Sequence, residues 1–155
     1  MGKLDIKKNS RRVDFKESME IGSKWDRISK CYVETYNEIF KLGLPFFQGL
    51  KKKFSYGYSI QCLFIFYLAL DLDSHLMRKW GVLNARTVQV KAKFISKQIF
   101  KKRTVKTLKI ISDFDIYLKK RNFNPGTCAD LTVTTLLMDK ITDIVRPYNL
   151  NKCLN

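Results

Sequence analysis

"YGYSIQCLFIFYLALDL", residues 56–72, is the most apolar stretch of this 155-residue chain. Its uninterrupted apolar part spans only about a dozen residues, whereas a helix that crosses a membrane needs about 20. The stretch also lacks the alternation of apolar and polar residues that is typical of a half-buried strand. We therefore predict a buried central helix around which the rest of the chain packs, and no membrane partner.

Apolar residues also recur at helical spacing on both sides of this stretch. Upstream, they predict one long amphipathic helix over residues 15–42 that stops at Gly43 and Pro45, followed by a basic turn. Downstream, Asp73 or Ser74 can cap the next helix, which breaks at residues 101–104. Two more helices are predicted after that break.

The last predicted helix begins at Pro125, where the missing N–H of proline is no loss, runs to about Val145 and is ended by Pro147. No alternating run or hairpin turn of useful length occurs in the chain. The predicted fold class is therefore all-α, a five-helix bundle. Two of its helices are predicted to bury one apolar stripe each, the first of Leu76, Trp80, Leu83, Thr87, Val90 and Phe94, the second of Val133, Leu137, Ile141 and Ile144.

The predicted domain organisation is simple. Residues 1–14 are basic and polar without a steady period, so we expect a mobile arm there. Residues 15–147 form a single helical domain, and residues 148–155 form a tail. The first residues contain no apolar segment of the secretory kind. The four cysteines, at 31, 62, 128 and 153, indicate neither a zinc site nor a disulfide framework, which favours reduced thiols and a cytoplasmic location.

The formal net charge of +16 points to a polyanionic partner. Between Ser74 and Ser112 there is no Asp or Glu, and this segment carries eleven of the basic residues. Two interpretations stay open for it: a solvated helix face, or a face that attracts phosphate groups.

Three polar clusters are not explained by helix formation or core filling. The first is Asp26 with Tyr32 and Tyr36 further along the same predicted helix. The second lies in the segment 70–81, "LDLDSHLMRKWG", and the third in the segment 121–133, "RNFNPGTCADLTV". Their polar candidates are Asp73, His75, Arg78 and Lys79 in the second cluster and Asn124, Gly126, Thr127 and Asp130 in the third.

The second and third clusters each open a predicted helix. Cations in a first turn oppose the helix dipole, so an anion near Arg78 and Lys79 would explain them. Two helix N-termini with carboxylates and free N–H groups are suited to holding a metal-bound polyphosphate. Carboxylates at these two starts would hold Mg²⁺, while N–H groups and cations would contact the phosphate oxygens.

These blocks resemble the triphosphoribosyl-dephospho-CoA synthase family. "NFNPGTCADLTVTTLL" is similar to its N-P-G-[GT]-x-A-D-L block, and "LDLDSHLMRKWG" to its D-[ST]-x-(x)2-R-K-x-G block. "WDRISKCYVETYNEIFKLGLP" resembles the D-x-I-x-x-x-Y-x-x-x-Y helix of archaeal-type members. The resemblance covers roughly residues 15–145 and corresponds to the C-terminal half of the family's all-helical fold.

The resemblance implies transfer of a triphosphoribosyl unit from ATP to the 2′-hydroxyl of 3′-dephospho-CoA, with release of adenine. Such chemistry needs a base, a proton donor for adenine and a clamp for the triphosphate. The resemblance implies that Asp73, His75 and Asp130 are the catalytic candidates and that Asp73 and Asp130 hold Mg²⁺. It also implies that the N–H groups of Gly126 and Thr127 meet a phosphate and that Asn124 fixes the loop. The remaining nucleotide-binding candidates are Arg78, Lys79, Gly126, Thr127, Asp26, Tyr32 and Tyr36.

The family's P-K-P-G and G-x-H-x-D-M blocks, which belong to its N-terminal half, do not occur in this sequence. The chain could therefore be half of a split enzyme, a truncated or misannotated gene product, or a diverged binding module. A further alternative is a subunit that completes its site only with a partner chain. A different alternative is a basic nucleic-acid-binding protein that uses the helix from Ser74 to Lys102 and the arm at residues 1–12.

Overall fold

A computed structural model of the chain describes residues 13–150, with side chains described for residues 13–145. This part of the chain contains α-helices and one π-helical segment but no strand, which confirms the all-α prediction. The elements in chain order are α1 (Phe15–Gly22), α2 (Arg27–Val33), the π-helical segment (Glu38–Gly43), α3 (Leu44–Lys51), α4 (Tyr56–Leu70), α5 (Ser74–Ile99), α6 (Val105–Lys120) and α7 (Gly126–Leu150).

Helix α4 is the buried centre of the fold, as the apolar stretch predicts. It contacts α3, α5, α7 and the π-helical segment. The Tyr67 side chain is fully buried, and its hydroxyl lies 2.5 Å from Thr135 Oγ1 on α7. A Cβ atom at Gly43 would lie 1.8 Å from the same hydroxyl, so only glycine fits where the π-helical segment crosses α4.

The prediction of one long helix over residues 15–42 was wrong. The chain leaves the helical conformation after Gly22, and Asp26 adopts an extended conformation as the N-cap of α2. After α2, Thr35 and Tyr36 both have positive φ values, 54° and 57°, which no continuous right-handed helix allows. The π-helical segment then replaces the last turns of the predicted helix.

The predicted stop at Gly43 and Pro45 was also wrong. Pro45 lies in the first turn of α3, where a proline costs no helical hydrogen bond, so the chain passes directly from the π-helical segment into α3. The described residues contain seven α-helices, whereas five were predicted.

Helix α5 is kinked at Gly81, whose φ of 82° and ψ of 160° are not helical. The kink turns the second part of α5, and the stripe predicted for that part is exposed rather than buried. Leu83, Val90 and Phe94 are 79%, 59% and 68% exposed. The buried positions beyond the kink are instead Ala85, Val88, Gln89, Ala92, Ile95 and Ile99.

The apolar stripe predicted for the last helix is likewise exposed. Helix α7 buries Cys128, Leu131, Thr132, Thr135 and Asp139, whereas Val133, Leu137, Ile141 and Ile144 face outward. Lys51 Nζ lies 2.5 Å from Asp139 Oδ2, so a partly buried ion pair joins α3 to α7. Local periodicity does not reveal this pairing, which lies on the buried face of α7.

Pro147 does not end α7, whose backbone continues to Leu150 and therefore includes the start of the predicted tail. The rest of that tail, Cys153 and nearly all of the predicted arm lie outside the described residues. Among residues 13–150, no single helix has the length and apolarity to cross a membrane. Helices α4 and α5 reach that length and apolarity only when they are counted together, and the two helices are bent by 55° relative to each other.

Candidate functional site at the meeting of helix starts

The first turns of α5 and α7 meet and cap each other. Asp73, the N-cap of α5, accepts a hydrogen bond from Leu76 N of its own helix with Oδ1 (2.9 Å) and one from Cys128 N of α7 with Oδ2 (2.8 Å). In return, Thr127 Oγ1 of α7 accepts a hydrogen bond from His75 N of α5 (3.1 Å). The two clusters that the sequence places in separate blocks are therefore adjacent in the fold.

The start of α2 joins the same junction through Ser74. The Ser74 hydroxyl lies 2.9 Å from Thr127 Oγ1, 3.4 Å from Asp26 Oδ2, and accepts a hydrogen bond from Arg27 N at 3.3 Å. Asp26 Oδ1 caps α2 by accepting from Ile28 N and Ser29 N. We call this meeting of Asp26, Asp73, Ser74 and Thr127 the helix-start junction.

Beneath the junction, the guanidinium of Arg27 ties α2 to α4 and to the π-helical segment. Arg27 is 5% exposed, forms an ion pair with Glu38, and donates to the carbonyl oxygens of Tyr67 (3.0 Å) and Asp71 (3.1 Å). Burial alone would lower the pKa of Arg27, but the hydrogen bond and charge of Glu38 outweigh it and raise that pKa. The cation also serves the last carbonyls of α4, where a positive charge is favourable.

His75 and Gly126 are in contact at the edge of the junction. A Cβ atom at Gly126 would lie 3.3 Å from His75 Cγ and Nδ1, so the glycine lets the imidazole ring lie against the start of α7. Arg78 Nη2 lies 3.4 Å from His75 Nδ1, and the Arg78 side chain is exposed. The Lys79 ammonium lies 5.6 Å from the centre of the Trp80 ring and is also exposed.

Asn124 and Asp130 lie on either side of the start of α7. Asn124 is exposed, and its carbonyl oxygen accepts a hydrogen bond from Gly126 N at 2.9 Å, so its backbone, not its side chain, shapes the entry to α7. Asp130, one turn after Thr127, is exposed and lines a cavity beside α7. Both residues lie near the junction, but neither belongs to its hydrogen-bond network.

The cavity has a volume of about 660 Å³ and lies between α2, the π-helical segment and α7. Tyr36 is part of its wall, and Tyr32 supports Tyr36 through an edge-to-face contact with ring centres 6.1 Å apart. The first predicted cluster is thus divided: Asp26 belongs to the junction, and the two tyrosines belong to the cavity side.

The carboxylates differ in their fitness for Mg²⁺. Asp73 is 2% exposed and both its oxygens accept backbone N–H groups, so it is part of the framework of the junction. The described residues contain no group of three or more His, Cys, Asp or Glu side chains placed to hold a metal ion. Because Mg²⁺ often binds through one or two carboxylates with substrate phosphates and water, the exposed Asp130 fits it better than Asp73 or Asp26, whose carboxylate oxygens all accept hydrogen bonds.

Cys31, Cys62 and Cys128 are free and buried, as predicted. Burial raises the pKa of the Cys31 thiol to about 11 and that of Cys62 to about 12. Burial also raises the pKa of Cys128 well above its ordinary value, although the nearby Arg27 acts in the opposite direction. These thiols are therefore core residues and not nucleophiles.

Sequence reasoning missed Arg27 and Glu38, and Ser74 was considered only as a cap. Glu38 is eleven residues from Arg27, a spacing that no regular helix brings into contact, and the carbonyl partners of Arg27 are 40 and 44 positions away. One signal was available: a cation directly after the capping Asp26 opposes a helix dipole and calls for an anion nearby.

Comparison with known proteins identifies a family for this chain. The family model described as ATP:dephospho-CoA triphosphoribosyl transferase matches residues 3–147, more than nine tenths of the chain and wider than the three blocks. No curated protein and no solved structure shows a significant match. The resemblance inferred from the sequence blocks is confirmed, and the chain belongs to the ATP:dephospho-CoA triphosphoribosyl transferase family.

Proposed function

We propose that this chain transfers the triphosphoribosyl unit of ATP to the 2′-hydroxyl of 3′-dephospho-CoA and releases adenine. The family supports the reaction class, and the observation that carries the proposal for this chain is the helix-start junction. There, Asp73 of one predicted block accepts a hydrogen bond from Cys128 N of the other, and His75 contacts Thr127 and Gly126. Such convergence is what a site for one substrate requires from residues distant in sequence.

The junction favours a negatively charged ligand. Two long helices, α5 and α7, direct their positive N-terminal ends toward the same place. Arg78 and Lys79, one turn into α5, add two exposed cations without an ion-pair partner among the described residues. In the proposal these cations and the N–H group of Thr127 hold the triphosphate, since Gly126 N and Cys128 N already donate to Asn124 O and Asp73 Oδ2.

In the proposed reaction, the 2′-hydroxyl oxygen of dephospho-CoA forms a bond to C1′ of the ATP ribose. The bond from C1′ to the adenine nitrogen breaks, and its electron pair leaves with adenine. A base takes the hydroxyl proton, and an acid supplies a proton to adenine. His75 is the preferred base, because the carboxylate of Asp73 already accepts two backbone N–H groups.

Mg²⁺ is retained in the proposal as the counterion of the triphosphate. Asp130 is the carboxylate suited to hold it together with the phosphate oxygens. A bound Mg²⁺ would neutralise phosphate charge. Asp73 keeps a positioning role in holding α5 against α7.

Binding of ATP to the full chain, measured by calorimetry with and without Mg²⁺, tests this proposal. We expect Arg78→Gln to weaken binding about tenfold, which corresponds to roughly 1.4 kcal/mol for a charge-assisted contact. Lys93→Gln is the matched control, because Lys93 is an exposed cation of the same helix far from its start. Wild-type chain that binds no ATP, or equal weakening by the two variants, would overturn it.

Turnover is tested separately by chromatographic detection of adenine from ATP and dephospho-CoA. We expect His75→Gln to reduce adenine release while ATP binding stays within about threefold of wild type. A His75→Gln chain that releases adenine at the wild-type rate would exclude His75 as the base.

A second candidate function, that of a subunit completed by another segment, is favoured by the outer face of α7. Val133, Leu137 and Ile144 are 65%, 55% and 64% exposed on that face, which adjoins the cavity through Val133. We propose as its occupant the segment that carries the P-K-P-G and G-x-H-x-D-M blocks, since these blocks do not occur in the printed sequence. Adding a polypeptide with these blocks should bind the chain and restore turnover, and Leu137→Asp should abolish that binding.

The nucleic-acid alternative rests on the second part of α5, where Arg86, Lys91, Lys93 and Lys97 are exposed. It predicts retention of DNA or RNA that weakens steeply with salt and is indifferent to ATP. A gel shift that compares the wild-type chain with a Lys93→Gln, Lys97→Gln double variant measures this retention. Retention unaffected by the double variant, or no retention at all, would reject the alternative.

A further inference from the structure

The cavity beside α7 combines apolar walls with a polar edge. Its apolar lining comes from α2, the π-helical segment and α7, and its polar groups are Tyr36, Asp130 and Thr134. The apolar lining residues are Ile28, Cys31, Ile39, Phe40, Leu131, Val133 and Met138. A ligand with two apolar faces and a hydrogen-bonding edge matches this distribution.

One wall of the cavity is built from irregular backbone. Thr35 and Tyr36 are consecutive residues with positive φ, and the π-helical segment begins two residues later. Left-handed residues other than glycine cost about 1–3 kcal/mol each, and such strain and π-helical turns both concentrate at ligand sites. This segment supplies Tyr36, Ile39 and Phe40 to the cavity.

Two aromatic rings of this wall are open to solvent. Tyr36 is 38% exposed and Phe40 is 48% exposed. Phe15 packs edge to face on Tyr32 at 5.2 Å, and Tyr32 packs in the same way on Tyr36. This row of rings holds Tyr36 in place, so the wall is prepared to receive a flat ring before any ligand arrives.

The cavity and the helix-start junction share α7. Thr127 belongs to the junction, and Asp130 and Thr134, one and two turns later, belong to the cavity. At a rise of about 1.5 Å per residue, these positions lie roughly 4 to 11 Å along the helix from Thr127. One ligand with an anionic end and a flat apolar end can therefore reach both places.

We propose that this cavity receives the purine base of ATP while the triphosphate lies at the helix-start junction. The inference rests on the proposed function for the identity of the ligand. It adds a binding place for adenine, the leaving group. In this proposal Phe40 and Val133 cover the flat faces of the base.

Methyl NMR spectra of the full chain during titration with adenosine test the cavity without the triphosphate. We expect the methyl signals of Ile39 and Val133 to shift through the ring current of the bound base. The methyl signals of Val90, which is exposed on α5 far along the chain from the cavity lining, are the control. Adenosine that shifts neither cavity residue, or shifts Val90 equally, would overturn the proposal.

Calorimetry with ATP and with inorganic tripolyphosphate separates this inference from the proposed function. We expect Phe40→Ala to weaken ATP binding about five- to tenfold, from loss of one stacking contact, and to leave tripolyphosphate binding unchanged. Phe94→Ala is the control, because Phe94 is similarly exposed on α5 and does not line the cavity. Equal ATP affinity in the Phe40→Ala and wild-type chains would refute the base site.

Two further outcomes would separate the base site from the proposed function and from a site for the acceptor. If adenosine shifts the cavity methyls but neither ATP nor tripolyphosphate shows Mg²⁺-dependent binding, the proposed function fails and the base site stands. If Phe40→Ala weakens dephospho-CoA relative to ATP, the cavity holds the pantetheine arm of the acceptor and the base lies elsewhere.

Discussion

Asp73 and Thr127 cap each other's helices: the Asp73 carboxylate accepts from Cys128 N of α7, and the Thr127 hydroxyl accepts from His75 N of α5. Both side chains are buried, at 2% and 4% exposure. A buried cap without its partner leaves a backbone N–H with neither protein nor water to accept it, which costs more than the same loss at a surface. The two residues therefore hold the relative position of the two predicted site blocks.

Replacing the Thr127 hydroxyl should reveal this contribution. Thr127→Val keeps the shape but removes the acceptor for His75 N, so we expect a loss of about 1–3 kcal/mol in the free energy of unfolding. Thr127→Ser retains the hydroxyl and should lose less than half as much. Urea denaturation measures both, and equal losses would show that packing and not capping is responsible.

The Arg27–Glu38 ion pair is expected to stabilise the fold far more than an exposed pair does. Arg27→Met leaves Glu38 and two carbonyl oxygens without their donor, so we expect a loss of about 3–5 kcal/mol. Lys30→Met removes the exposed partner of Glu34, 3.9 Å away, and should cost less than about 1 kcal/mol. Denaturant midpoints compare the two, and similar shifts would contradict the assigned role of Arg27.

Gly81 should not tolerate a side chain although the space around it is open. No atom lies within 4 Å of a Cβ built there, but its φ of 82° is in a region that L side chains rarely adopt. We expect Gly81→Ala to destabilise the chain by about 1–3 kcal/mol. Gly49→Ala, in helix α3 and equally open, should instead stabilise by roughly 0.5–1 kcal/mol. Thermal denaturation that shifts both variants in the same direction would contradict this.

Stability should fall above pH 9. Burial raises the pKa of Cys62 from 9.0 to about 12 and that of Cys31 to about 11, so in this range the folded chain keeps protons that the unfolded chain releases. The stabilising difference is present below the unfolded pKa and is lost as pH rises toward the folded pKa, by roughly 1 kcal/mol per pH unit for each thiol. Urea midpoints measured from about pH 8 to 11 should fall less steeply for Cys62→Ala, and parallel curves would exclude the thiol as a cause.

Whether the buried face of a helix could be predicted depends on whether the residues that determine it are close together in the sequence. Helix α4 was predicted because its apolar run is unusually dense, and burial on most sides needs no knowledge of neighbours. The predictions for the later part of α5 and for α7 were wrong because the exposed faces carry residues at least as apolar as those of the buried faces, whereas Leu76 in the first turn of α5 is buried as predicted. The Gly81 kink and the Lys51–Asp139 ion pair, both set by the folded backbone, accompany the observed choice of face.

The candidate site shows the same division between local and distant causes. The capping residues Asp26, Asp73 and Thr127 carry a local signature, so most of the junction could be found in the sequence. Arg27 and Glu38 could not, because the break that separates α2 from the π-helical segment depends on backbone conformations at Thr35 and Tyr36.

The exchange of caps between α5 and α7 has a consequence for motion. Neither helix can fray at its first turn without releasing an N–H acceptor of the other, so the two starts must open together. In deuterated water, the amide protons of His75 and Cys128 should therefore exchange with one common opening free energy, as a single cooperative unit.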